Sequence, residues 1–229
     1  ITAQNTIGVQ SILEVEEEFV GKQIDSVMTD IGADCWKIGM LANKKIINVV
    51  AKKIAEYKIR FVILDPVMLS KSGSFLLKKQ ALETLINKLF PLSFIVTPNL
   101  DEAKAITGKS IKTIEQMKEA AFLIKQMGPQ NVLIKGGHLA KDSDAVDILY
   151  NGQRFVQFRA KRIKTKNDHG TGCTLSSAIA AELAKGSNIA NAVAKAKNYV
   201  TSALKSAKNL DLGKGHSPLD HMVNIEIRA

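Results

Sequence analysis

RFVILDP, residues 60–66, is an apolar run closed by an acid and a proline. Four consecutive apolar residues with no polar alternation describe a strand covered on both faces, and such strands belong to parallel sheets flanked by helices. Proline cannot donate to a sheet ladder, so Asp65 stands at the exit of the strand. Similar runs recur as CWKIGML (35–41), SFIVTPN (93–99) and NVLIKGG (131–137). Between them the spacing changes to that of helices. Asn43 opens a helix with Ile46, Ile47, Val50 and Ile54 on one side, a second spans 78–90, and Thr113-x-x-Gln116 caps a third that ends at Gly128-Pro129. Upstream, Val15, Phe19, Val20, Ile24, Val27, Met28 and Ile31 follow one helical face behind Ser11-x-x-Glu14, a capping-box pattern. Strand and helix in alternation predict an α/β protein with a mainly parallel central sheet and right-handed crossovers.

The segments DAVDILYNG and QRFVQFRAKRI break this alternation and predict an antiparallel β-hairpin over 144–163, turning at Asn151-Gly152. Helices over 172–185, stopped by Gly186, and over 189–207 follow. The opening ITAQNT reads as a buried strand or the loop that leaves it. No internal repeat or linker divides the chain, so residues 1–229 are expected to form one domain.

Of the 229 residues 45% are hydrophobic and 24% charged, the profile of a globular protein with a sizeable core. The net charge of +10 could signal nucleic acid. The lysines, however, are scattered over helical segments (Lys44, Lys45, Lys52, Lys53; Lys195, Lys197, Lys205, Lys208), and no basic run is interleaved with aromatics. Solvated helix faces are the expectation, with no nucleic-acid partner. Cys35 and Cys173 lie far apart and form no CxxC, which argues against a zinc site or a disulfide framework and suits a reducing compartment. No apolar run approaches the ~18 residues of a membrane span, so the cytoplasm is the expected location.

Each apolar run ends in a polar or glycine-containing exit: Gly39-Met40, Asp65-Pro66, Thr97-Pro98-Asn99 and Lys135-Gly136-Gly137. Open parallel sheets bind ligands beyond the carboxyl ends of their strands, so the exits should converge on one crevice. Asp65 either just terminates its strand or, with Glu102, holds Mg2+ beside a nucleotide phosphate, directly or through water. Asn99-x-x-Glu102 is also a helix-start pattern, and the two roles are compatible. Lys135 before two glycines is either a phosphate-facing lysine or a surface one. In NDHGTGCTLSSAIAA (167–181), glycines precede a helix start whose free N–H groups and partial positive charge suit an anion, although a tight turn would look the same. Neither a Walker A sequence nor a protein-kinase GxGxxG set is present.

Taken together, TAQNT (2–6), KIGML (37–41), LDPVM (64–68), VTPNLDEA (96–103), KGGH (135–138), HGTGCTLSSAIAA (169–181) and GHSPLDH (215–221) resemble the hydroxymethylpyrimidine/phosphomethylpyrimidine kinases of thiamine biosynthesis, within the ribokinase-like superfamily. The resemblance runs in register along nearly the whole chain. It implies a three-layer α/β/α sandwich, commonly a homodimer. It also implies ATP- and Mg2+-dependent phosphorylation of 4-amino-5-hydroxymethyl-2-methylpyrimidine and then of its monophosphate. By the family pattern Gln4 binds the pyrimidine and Met40 and Val67 contact its ring. Lys135, Asn99 and Gly137 face the nucleotide, and Asp65 and Glu102 the metal. Gly170, Thr171 and Gly172 form an anion hole, with Cys173 where most sugar kinases of the superfamily carry a catalytic aspartate. A thiol in the first turn of a helix near cations can have its pKa lowered to roughly 3.5–7.5 and accept the hydroxymethyl proton. A small buried cysteine packing a helix start is the plainer alternative.

Two departures stand out. Asp168 replaces the family's usual threonine, and it is expected to point to solvent, or otherwise to join the Mg2+ shell. The family's opening strand and glycine-rich segment do not occur in this sequence, so either the sheet lacks that strand or the native chain is longer. Two rivals remain. A pyridoxal kinase of the same lineage would act on a similar heteroaromatic alcohol, although the amide of Gln4 favours an aminopyrimidine. A non-catalytic relative would merely hold a pyrimidine or nucleotide.

Overall fold

The computed structural model describes residues 1–68, 79–137, 139 and 144–223. Two short strands, β1 (Thr2–Gln4) and β2 (Val9–Ile12), pair with each other in antiparallel fashion outside the main sheet. The main sheet has six strands in sequence order: β3 (Trp36–Ile38), β4 (Val62–Leu64), β5 (Ile95–Val96), β6 (Asn131–Gly136), β7 (Asp144–Tyr150) and β8 (Phe155–Lys161). The first four are mutually parallel, and β7 and β8 extend the sheet as the expected antiparallel hairpin. Its turn runs through 151–154, with Gly152 at φ 90° and the Asn151 side chain accepting from the Gln153 and Arg154 amides.

The helices are α1 (Glu17–Met28), α2 (Lys44–Glu56), α3 (Lys79–Leu89), α4 (Leu100–Thr107), α5 (Ile114–Lys125), α6 (Thr171–Ala184) and α7 (Ile189–Ser206). Successive residues of a strand point to opposite faces, and the core divides accordingly. Val62, Leu64, Val96, Val132 and Ile134 pack with α2, α3, α4 and α5 on one side. Ile63, Ile95 and Leu133 pack with α6 and α7 on the other. Every residue of β4 is fully buried, as the uninterrupted run requires. This is the expected three-layer α/β/α arrangement.

The amino-terminal reading is corrected. The residues of β1 are all exposed, so ITAQNT is not a buried strand. Ser11 belongs to β2 and caps nothing; α1 starts only at Glu17, after Glu16, without a side-chain cap. Within the apolar stripe Val20 and Ile24 pack on the core, whereas Phe19, Val27 and Ile31 are 55%, 47% and 80% exposed. The reason lies in the sheet: β3 is the edge strand among the described residues, so nothing there covers the outer half of α1. A cleft of about 520 Å3 lined by Val20, Ile24, Val27, Trp36 and Leu41 remains between them.

Candidate active site

The exits of the parallel strands converge. Asp65 follows β4, its amide bonded to Ile38 O (2.9 Å), and is 1% exposed. Its Oδ1 accepts from Lys135 Nζ at the end of β6 (2.6 Å) and from Thr97 Oγ1 after β5 (3.3 Å). Its Oδ2 lies 3.5 Å from Ser176 Oγ on α6. One carboxylate thus ties together two neighbouring strand exits and a helix.

Asn99 opens α4 through a complete capping box: its Oδ1 accepts from Glu102 N (2.9 Å), and Glu102 Oε2 accepts from Asn99 N (2.7 Å). Glu102 is 4% exposed. Burial pushes its carboxyl up to about 7; the Lys135 ammonium works against the shift and the Asp65 charge adds to it. Lys135 is buried too, which disfavours its charge, but Asp65 and Glu102 outweigh that and hold the ammonium above its ordinary value. Its side chain is therefore a partner of Asp65 rather than a free surface lysine. Beyond it, Gly137 faces open space where a Cβ would sit, while its carbonyl accepts from the Arg162 guanidinium.

The start of α6 closes the other wall. Asn43, Asn99, Thr113 and Asn188 cap α2, α4, α5 and α7 with their side chains, but α6 begins at Gly170, with φ 82° and no side-chain cap. Thr171 Oγ1 turns back to Asp168 O (2.6 Å), which leaves the first turn open to an external acceptor. A Cβ on Gly172 would lie 3.1 Å from Lys135 Nζ and 3.8 Å from Asp65 Oδ2, so the helix start abuts the buried pair. Cys173 is exposed at this wall. Its thiol nevertheless sits above its ordinary pKa, because the surrounding protein mass desolvates it more than the Lys37 charge can offset, and Asp65 adds to the rise. The expected lowered thiol pKa is thus corrected for the protein alone: helix-end stabilisation does not overcome burial beside two carboxylates.

Met40 and Val67 are partly buried just past β3 and β4. Val67 N bonds Asp65 O (2.8 Å), so Val67 flanks the cluster through the backbone. Gln4 is exposed on β1, and among the described residues its side chain bonds only Thr2 Oγ1 (3.5 Å). Asp168 neither points freely to solvent nor joins the carboxylate cluster, for its Oδ1 lies 2.9 Å from His216 Nδ1. His216 N in turn bonds Thr6 O (2.8 Å), and His169 N bonds Ser217 O (3.0 Å). The segment around His216 therefore straps the β1–β2 ribbon to the start of α6. Sequence reasoning gave His216 no role; GHSPLDH was the only signal for it. His138 of KGGH lies outside the described residues.

Among the described residues no three His, Cys, Asp or Glu side chains gather as a metal site. Asp65, paired with Lys135, and Glu102, whose charge burial disfavours, bring two carboxyl groups to this spot. That is an incomplete donor set, as suits Mg2+, which keeps water and takes oxygens from phosphate.

The phosphomethylpyrimidine kinase family matches residues 1–220. The chain is 46% identical over 226 residues to the thiamine biosynthesis bifunctional protein ThiED of Geobacter sulfurreducens, covering 99% of this chain. It spans only 42–46% of the length of that and the two plant bifunctional relatives. The phosphomethylpyrimidine kinase of Clostridium difficile superposes with a TM-score of 0.78 at 42% identity, covering 89% of this chain and 83% of that one. An ADP complex of Bacillus subtilis pyridoxal kinase gives 0.86 at 33%, covering 97% and 82%. The matched family, the level of identity and the ribokinase-like architecture agree: this chain belongs to the phosphomethylpyrimidine kinase family.

Proposed function

We propose that this protein phosphorylates 4-amino-5-hydroxymethyl-2-methylpyrimidine, and then its monophosphate, at the expense of ATP. The observation that carries the reading is the meeting of Asp65, Lys135 and Glu102 with the uncapped start of α6. In the first transfer the hydroxymethyl oxygen forms a bond to the γ-phosphorus, the bond from that phosphorus to the bridging oxygen breaks, and ADP leaves. The backbone N–H groups of 172 and 173 stand ready for the transferring oxygens, and Lys135 adds positive charge beneath them. Asp65 and Glu102 would hold Mg2+, which supplies neutralisation of phosphate charge when bound. Cys173 faces the acceptor, and the thiolate fraction of its sulfur takes the hydroxyl proton. Because burial keeps that fraction small, positioning and charge neutralisation contribute most of the acceleration, as is general for phosphoryl transfer. Lys135, Asn99 and Gly137 border the nucleotide, while Gln4, Met40 and Val67 receive the pyrimidine by the family pattern. A homodimer and a cytoplasmic location belong to the same reading.

The second reading is a pyridoxal kinase, favoured by the superposition on the Bacillus subtilis enzyme. Both substrates are heteroaromatic rings with a hydroxymethyl group, so one site geometry serves either. Turnover of the two alcohols under identical conditions decides between them: the proposal expects a higher kcat/KM for the pyrimidine, and a higher value for pyridoxal overturns it.

A further inference from the structure

Lys37 belongs to KIGML, yet the proposed chemistry leaves it unused. Its neighbours Trp36 and Ile38 point into the core beneath α2, so Lys37 projects from the opposite face of β3, the face on which Cys35 packs towards α6 and α7. The side chain is half-buried. A Cβ built on Gly39 would lie only 2.9 Å from its Nζ, so the ammonium is folded back over the exit of its own strand, where glycine leaves room for it. Among the described residues Lys37 makes no hydrogen bond or ion pair, unlike Lys135, which is committed to Asp65 at 2.6 Å. No other charged group acts on the Cys173 sulfur as strongly as this ammonium does.

The two transfers differ in what they require of this spot. The alcohol must lose a proton as it attacks. A monophosphate has a second pKa near 6 and is mostly a dianion at neutral pH, so its terminal oxygen attacks without a proton to remove. It does bring about two negative charges up to the triphosphate, and like charges at that range need a cation between or beside them. The phosphate hangs from the oxygen that faced Cys173 in the first step, which brings it within the reach of the Lys37 charge.

We propose that Lys37 is a specificity-determining residue that binds the phosphate already carried by the monophosphate acceptor and so serves the second transfer far more than the first. This rests on the kinase reading above. In that step an acceptor phosphate oxygen bonds to the γ-phosphorus, the bond to the bridging oxygen of ATP breaks, and ADP leaves with the electron pair. Lys37 donates hydrogen bonds to the acceptor's other oxygens and transfers no proton.

The test compares Lys37→Met and Lys37→Arg with the wild type on both acceptors and on KM for ATP. Lys37→Met is expected to lower kcat/KM for the monophosphate about 10- to 150-fold, the size of a lost hydrogen bond to a charged group. The alcohol should lose clearly less than the monophosphate, because a less ionised Cys173 costs the first transfer only its small thiolate contribution, KM for ATP should hold, and Lys37→Arg should recover most of the loss. Should Lys37→Met not fold, the wild type carries the comparison: monophosphate binding should weaken with added salt while alcohol binding does not. Equal losses for both acceptors, no loss for the monophosphate, no recovery with arginine, or equal salt dependence overturns the inference. A wild type that phosphorylates neither acceptor overturns the kinase reading and this inference with it; a wild type active on both, with Lys37→Met unaffected, sinks the inference alone.

Discussion

Lys135 Nζ lies 2.6 Å from Asp65 Oδ1, joining the exits of β6 and β4 across 70 residues of sequence. Both side chains are nearly inaccessible, at 12% and 2% exposure. Removing either partner strands a buried charge, at a cost of about 3–5 kcal/mol. Asp65→Ala and Lys135→Met are therefore each expected to lose about that much unfolding free energy in urea, and the double variant less than the sum. Additive losses would show that the two charges do not depend on each other.

Glu102 links stability to pH. Its folded pKa of about 7 lies above the ordinary 4.5, so the folded state binds the proton more tightly than the unfolded chain does. The stability this contributes is fully present below about 4.5 and is lost as pH rises to about 7. Glu102→Gln keeps an oxygen for the Asn99 amide and removes the titration. Between those limits its unfolding free energy should rise relative to wild type by about 1–3 kcal/mol. A difference that stays flat with pH contradicts the assignment.

The local parts of this architecture were readable in advance: the β4 run, the Asn99–Glu102 capping box, the 144–163 hairpin and the helix after Gly170 each rest on residues a few positions apart. What escaped depends on distant neighbours. The 3,4 spacing of α1 says which residues share a face, not whether a strand lies beyond β3 to cover it. The Asp65–Lys135 bond needs the register of β4, β5 and β6, and the Cys173 thiol needs the balance of burial with four charges from distant parts of the sequence. Asp168 could not be placed without His216, 48 residues later.

The two cysteines should react differently. Burial, with the Asp34 charge adding to it, pushes Cys35 up to about 12, whereas Cys173 is raised but exposed. Thiolate is the reactive form. Iodoacetamide at pH 8 is expected to label Cys173 first, more slowly than a free small thiol, and Cys35 only on unfolding. Peptide mapping reads both sites, and Cys173 labelling faster than the free thiol would contradict the raised pKa.

At the start of α6 the two glycines do different jobs. Gly170 has φ 82°, where a Cβ costs about 1–2 kcal/mol, so Gly170→Ala should lower stability by that amount. A Cβ on Gly172 presses on Lys135 Nζ from 3.1 Å, and a flexible side-chain end can give way. Gly172→Ala is therefore expected to fold normally but to lose about 100-fold in kcat/KM, at least as much as Cys173→Ala. Loss of turnover in Cys173→Ala alone, with both glycine variants intact, would reverse the assigned weights.

The direct test is phosphorus NMR of the wild-type protein with MgATP and 4-amino-5-hydroxymethyl-2-methylpyrimidine. The monophosphate is expected first and the diphosphate after it, with one ADP formed per transfer and neither product in Asp65→Ala. ATP left intact, or consumed without any phosphorylated pyrimidine, would contradict it.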